Sequence, residues 1–167
     1  MSGRILVAYA TRNGSTTGIA GAVGKELQSA GYNVEVKEIK TVTTIEGYDS
    51  IVIGAPIYIG KVIDVARFVG RYRDQLSTRP VAAFAVGILA PASKDPKQVE
   101  DSMKALHTSL APLQPVAVTL FAGRLDPEKL SFIQRRMTGF VKAPKGDFRD
   151  WDAIAAWARE LPGKLWV

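Results

Sequence analysis

Apolar and polar positions fall along the chain in blocks whose period switches between that of a strand and that of a helix. Ile5 to Ala10 is almost unbroken apolar sequence, the pattern of a strand buried on both faces of a parallel sheet. Over 16–30 the side chains of Ile19, Val23, Leu27 and Ala30 recur at helical spacing, and Gly31 is placed to cap that helix. Tyr32 to Ile39 alternates, with Tyr32, Val34 and Val36 set against Asn33, Glu35 and Lys37, and predicts a strand near a sheet edge. Ile51-Val52-Ile53 predicts a short third strand, closed by Gly54-Ala55-Pro56. Residues 63–76 predict a helix that buries Val65, Phe68, Val69 and Tyr72, and Pro80 to Val86 predicts a fourth strand. A helix over 95–110 carries the stripe Val99, Met103, Leu106 and Leu110, followed by a fifth strand from Val116 to Phe121. Trp151 to Leu161 predicts the last helix, stopped by Pro162-Gly163.

Strands alternating with helices predict an α/β fold: helices on both faces of a five-stranded parallel sheet, in three layers. With right-handed crossovers few topologies remain, and a polar glycine loop after the first strand suits the order 2-1-3-4-5. The whole chain, 1–167, reads as a single domain without repeats or linkers. One stretch exceeds the plan. Ala122 to Asp150 is far longer than a simple connection needs, and its middle, Pro127 to Val141, is amphipathic, with Leu130, Ile133, Met137, Phe140 and Val141 on one side.

The loop Thr11-Arg12-Asn13-Gly14-Ser15-Thr16 leaves the first strand and opens the first helix. Unpaired N–H groups at a helix N-terminus carry partial positive charge and seat a phosphate. Gly14 permits close approach of the backbone to an anion, and the Thr11, Ser15 and Thr16 hydroxyls and the Asn13 amide add donors. Arg12 either helps hold the phosphate or faces solvent. The loop is neither G-x-G-x-x-G nor G-x-x-x-x-G-K-[ST], so a dinucleotide or triphosphatase motif is unsupported. The plain alternative is an N-cap, which needs only one of these hydroxyls.

These residues resemble a known family. Val7-Ala8-Tyr9-Ala10-Thr11-Arg12-Asn13-Gly14-Ser15-Thr16, with Ala20 and Val23 beyond, is similar to the N-terminal flavodoxin signature, departing from it at Ala8, where the family favours a larger apolar residue. A resemblance over most of the chain points to the flavodoxin-like menaquinone-dependent protoporphyrinogen oxidases. It rests on Thr11–Gly14, on Tyr48 to Gly60, on Phe121-Ala122-Gly123-Arg124, and on Asp150-Trp151-Asp152 through Ala158-Arg159-Glu160. The resemblance implies a flavodoxin-like fold and FMN as cofactor, with its phosphate on Thr11–Thr16. In a doubly wound sheet the ligand lies beyond the carboxyl ends of the strands, which selects two further loops. The first holds the cofactor-binding candidates Ala55, Pro56, Ile57, Tyr58, Ile59 and Gly60: Ile57 and Tyr58 would wall one face of the flavin and backbone N–H groups would reach its polar edge, with glycines at either end giving an unusual backbone path. In the second, the resemblance places Gly87, Ile88, Leu89 and Ala90 against its other side. No side-chain acid or base is required, because the flavin itself exchanges hydride or single electrons.

The implied activity is an FMN-dependent oxidoreductase passing electrons from a porphyrinogen-like donor to a quinone-type acceptor. A carrier flavodoxin serving redox partner proteins and an NAD(P)H:quinone reductase are the alternatives. Lys and Arg number 22 against 16 Asp and Glu, a net charge of +6, whereas carrier flavodoxins resemble acidic proteins. Basic residues of the insertion, among them Arg124, Lys129, Arg135, Arg136, Lys142, Lys145 and Arg149, suit peripheral membrane contact through 127–149 or a greasy anionic substrate. An ordinary helix covering the core, with solvated charges, is the alternative. There is no cysteine, which removes disulfides, thiol catalysis and cysteine metal sites. The lone His107 lies on a predicted helix, no metal cluster is apparent, and no nucleic-acid module is recognised. Lacking a signal-peptide pattern or an apolar run of spanning length, the chain is expected to be cytoplasmic or peripheral to a membrane. Trp151 and Trp157 are expected to pack the terminal helix, and Trp166 to lie at a frayed end.

Overall fold

The computed structural model describes residues 3–12, 14–58, 60–87, 96–125 and 146–166. Five parallel strands form the sheet: β1 (Arg4–Tyr9), β2 (Asn33–Glu38), β3 (Ser50–Tyr58), β5 (Val81–Gly87) and β6 (Ala117–Ala122). Their order is β2-β1-β3-β5-β6, with a two-residue strand β4 (Lys61–Val62) folded back antiparallel on β3. The five parallel strands thus follow the predicted order 2-1-3-4-5. Helices α1 (Ser15–Ser29), α2 (Val65–Arg71), α3 (Arg73–Leu76), α4 (Pro96–Leu110) and α5 (Trp151–Leu165) cover it. A second ribbon pairs β7 (Arg124–Leu125) with β8 (Gly146–Asp147) antiparallel at the base of the insertion.

The two-residue period of the strands divides the core into two layers. Ile5 and Val7 of β1, Val52 of β3, and Ala82, Phe84 and Val86 of β5 face α1 and α5, meeting Ile19, Val23 and Leu27 and then Ile154, Ala158 and Leu161. Leu6 and Ala8, Ile51 and Ile53, Ala83 and Ala85 face the other way, onto Val65, Phe68 and Val69 of α2 and Leu106 and Leu110 of α4. Val99 and Met103, expected on the same stripe, are half-buried. Helix α1 ends as its sequence predicts. Gly31 takes φ 99°, its N–H donates to Gln28 O at 2.9 Å, and the Tyr32 N–H donates to Leu27 O at 3.2 Å, the paired bonds of a Schellman turn.

Five expectations are corrected. The third strand does not stop at Ile53; β3 runs through Gly54-Ala55-Pro56 to Tyr58. Proline is tolerated there because β1 has ended: their pairing stops at Tyr9 with Gly54, while β5 continues to pair as far as Pro56 with Val86. The predicted helix over 63–76 breaks at Tyr72, whose buried side chain donates its hydroxyl to Val42 O at 3.1 Å. The last helix continues past Pro162 to Leu165. An interior proline costs about 3 kcal/mol. Burying Leu165 returns about 1.5–3 kcal/mol, and the stacking of Trp166 on Tyr32, at 4.7 Å between centroids, adds about 0.5–1.5 kcal/mol. Trp166, although 41% exposed, is therefore held at the end of α5 by its stack on Tyr32 rather than frayed. Trp157 packs edge-on to Phe84 and Phe121 as expected, but Trp151 is 45% exposed and lies beneath the Arg149 guanidinium.

Candidate functional site

The carboxyl ends of β1, β3 and β5 bring together the loops singled out in the sequence. Thr11 accepts a hydrogen bond at Oγ1 from the Gly14 N–H, 3.0 Å away, which tightens the turn into α1. Gly14 is the N-cap residue, in left-handed backbone at φ 87°, ψ −10°. Having no side chain, it offers no cap, and the first turn of α1 holds no acidic residue. The orphan N–H groups of the helix therefore meet neither a side-chain cap nor a carboxylate of their own turn. Within that turn Thr16 is completely buried, and its hydroxyl has no hydrogen-bond partner. A buried hydroxyl left unpaired costs about 1–3 kcal/mol, so an acceptor that reached it would recover that penalty. Ser15 is half-buried beside it.

The second segment is mostly strand rather than loop, which corrects the expected backbone path. Gly54 lies inside β3, where a methyl group would overlap the ring of Phe84, so this glycine serves core packing. Ala55 is buried, whereas Pro56, Ile57 and Tyr58 are half-buried. They turn back at Gly60, φ 72°, into β4, pairing Ile57 with Val62 and Tyr58 with Lys61. Arg12 is exposed, and its guanidinium lies 5.1 Å from the centroid of the Tyr58 ring, so the first and second segments touch through a cation–π contact. Gly87 ends β5, and its carbonyl accepts from the Gly123 N–H at 3.2 Å. Asn13, Ile59, Ile88, Leu89 and Ala90 lie outside the described residues, as does the insertion from 126 to 145.

The sequence reading missed the way the insertion's base reaches the first turn of α1. Gly123 lies where a methyl group would come within 3.4 Å of Ser15 Oγ. Arg124 Nη2 would be 3.8 Å from a methyl group on Gly14, and Arg149 Nη1 2.7 Å from one on Gly18. Arg149 is held by Asp147 through Nε to Oδ1 at 2.9 Å and Nη2 to Oδ2 at 2.6 Å. Those bonds hold the Asp147 carboxyl down at about 2, below the ordinary aspartate range. Only Gly123 and Arg124, in the stretch resembling the porphyrinogen oxidases, carried any sign of this in the sequence.

A cleft of about 580 Å³ lies at the opposite end of the sheet, lined by Leu76, Arg79, Val81, Pro112 and Leu113 among others. It is remote from these loops. Its Arg79 is engaged structurally, donating to Tyr48 O at 2.8 Å and Gln75 O at 2.6 Å. Among the described residues no helix is long and apolar enough to cross a membrane.

A family described as the Flavodoxin domain matches residues 6–152. Protoporphyrinogen IX dehydrogenase (quinone) of Escherichia coli strain K12 is 26% identical over 172 aligned positions, covering 95% of this chain and 94% of that protein. Among solved structures, a flavodoxin from the domain Archaea superposes with a TM-score of 0.57 at 15% identity, covering 97% of this chain and 98% of the other. A Fusobacterium nucleatum flavodoxin bound to flavin mononucleotide does so with a TM-score of 0.56 at 16% identity, covering 98% and 99%. With the match spanning both core layers and the turn after β1, this chain belongs to the Flavodoxin domain family.

Proposed function

We propose that the protein is an FMN-dependent oxidoreductase that moves electrons from a porphyrinogen-type donor to a quinone-type acceptor. The observation that carries the cofactor is the Thr16 hydroxyl, buried without a partner in a helix turn that has neither side-chain cap nor acidic residue. A phosphate is the acceptor that such a turn suits, since it meets both the orphan N–H groups and the hydroxyl. In the Thr11–Thr16 loop, Thr11, Asn13, Gly14, Ser15 and Thr16 would hold that phosphate. Pro56, Ile57 and Tyr58, half-buried at the carboxyl end of β3, would flank the ring system, as would Ile59, Gly60 and the 87–90 segment. FMN, when bound, supplies the redox chemistry, and the chain's residues bind it, orient it and set the charge around it.

The direction of electron flow is supported by the full-length similarity to the Escherichia coli dehydrogenase. The surface adds to that support: a net charge of +6 suits an anionic donor better than it suits a basic redox partner. The test is anaerobic. Flavin bleaching is followed on adding protoporphyrinogen, and in parallel NADH or NADPH; a quinone is then added. Bleaching by protoporphyrinogen with return of colour on quinone addition is expected. Reduction solely by a second redox protein would replace this reading with that of a carrier flavodoxin.

A further inference from the structure

Arg124 and Arg149, which composition groups with the basic insertion, lie against the turn that opens α1. Arg124 sits in β7, whose partner strand β8 carries Asp147 directly opposite it. Its guanidinium approaches Gly14, and among the described residues it has no hydrogen-bond or ion-pair partner. Arg149 differs. Its charge is matched by Asp147, its side chain is only 11% exposed, and its guanidinium lies 4.6 Å from the Trp151 ring centroid. Asp147 occupies Nε and Nη2, and Nη1 remains directed at the α1 turn beside Gly18. The turn they face contains the unpartnered, fully buried Thr16 hydroxyl.

We propose that Arg124 is a ligand of the cofactor phosphate, held over the seat by the β7–β8 ribbon, with Arg149 as a positioning residue that fixes the ribbon to α1. The proposal rests on the reading of Thr11–Thr16 as the FMN phosphate seat. A helix N-terminus carries only about half a unit of positive charge, whereas the phosphate monoester of FMN is close to dianionic at neutral pH. Arg124 supplies a full charge at the open side of the turn, and its planar fork suits two phosphate oxygens. Asp147 hydrogen-bonds Arg149 and faces Arg124 across the ribbon, so the three side chains together keep one net positive charge beside the turn. Leu125 pairs with Gly146, so the ribbon that carries Arg124 lies beside the α1 turn.

The test compares FMN with riboflavin, which lacks the phosphate, by fluorescence titration of apoprotein prepared from wild type, Arg124→Gln, Arg124→Lys and Arg149→Gln. Arg124→Gln is expected to weaken FMN binding by about 10–100-fold while leaving riboflavin within about twofold. It should also flatten the loss of FMN affinity with rising salt. Arg124→Lys should fall between wild type and Arg124→Gln. Arg149→Gln should shift the FMN-to-riboflavin ratio in the same direction by a smaller factor, a change that a purely structural role would not produce. Equal losses for the two ligands, or an unchanged ratio in Arg124→Gln when wild type binds FMN, would overturn the proposal and leave the seat standing. A wild-type protein that ignores FMN would overturn both.

Discussion

Replacing Phe84 by alanine is expected to lower the unfolding free energy by about 3–5 kcal/mol. Phe84 is fully buried in β5, between β3 and β6. Its ring lies 5.7 Å from that of Phe121 and 5.9 Å from that of Trp157, centroid to centroid, and it covers Gly54 of the neighbouring strand. Gly54 has no side chain to swing into the space, and the sheet backbone beneath it is paired on both sides. The cavity would therefore collapse poorly, which places the cost toward the upper part of the range. Urea unfolding of the apoprotein would read this as a lower midpoint at unchanged slope. A loss under about 1 kcal/mol would mean that the two faces of the sheet are not packed as described.

Thr16→Val should move stability and binding in opposite directions. Valine nearly matches threonine in shape but removes a hydroxyl that is buried without a partner. The apoprotein should gain on the order of 1 kcal/mol, because an unpaired buried polar group is lost. FMN affinity should fall by about 10–100-fold, because a hydrogen bond to a charged phosphate is worth about 1.5–3 kcal/mol. Ser50 provides the control. Its hydroxyl is also buried and unpartnered, but it lies at the start of β3, the far end of the sheet from the loops. Ser50→Ala should raise apoprotein stability and leave FMN affinity unchanged. If Thr16→Val behaves as Ser50→Ala does, the Thr16 hydroxyl is not a phosphate donor.

The parts of the fold that could be read from the sequence are those set by local periodicity. The apolar runs of β1 and β5, the helical stripe of α1 and the Gly31 cap each agree with their surroundings, so local pattern and tertiary structure point the same way. The errors arose where a long-range contact outweighs a local signal. Gly54 and Pro56 look like the end of a strand. They continue one because Phe84 fills the space above Gly54 and because β1 has already ended beside Pro56. Pro162 looks like a stop, yet the burial of Leu165 and the stacking of Trp166 on Tyr32 carry the helix past it.

The site divides in the same way. The turn from β1 into α1 is contiguous in sequence, so its glycine and hydroxyls could be recognised together. The approach of Arg124 and Arg149 depends on the β7–β8 ribbon, whose strands are separated by the residues from 126 to 145. No local period marks a two-residue strand, and the same arginines read equally well as a solvated basic face. Residues gathered in one turn are legible, and contacts made by pairing across the β7–β8 ribbon are not.

The central claim is that the turn from Thr11 to Thr16 seats the phosphate of FMN. Titrating wild-type apoprotein into FMN and, separately, into riboflavin, with flavin fluorescence as the signal, tests it most directly. The account predicts saturable quenching of FMN and an affinity for FMN at least about tenfold above that for riboflavin, the worth of a single charge-assisted hydrogen bond. No quenching of FMN, or equal affinity for the two, would contradict it.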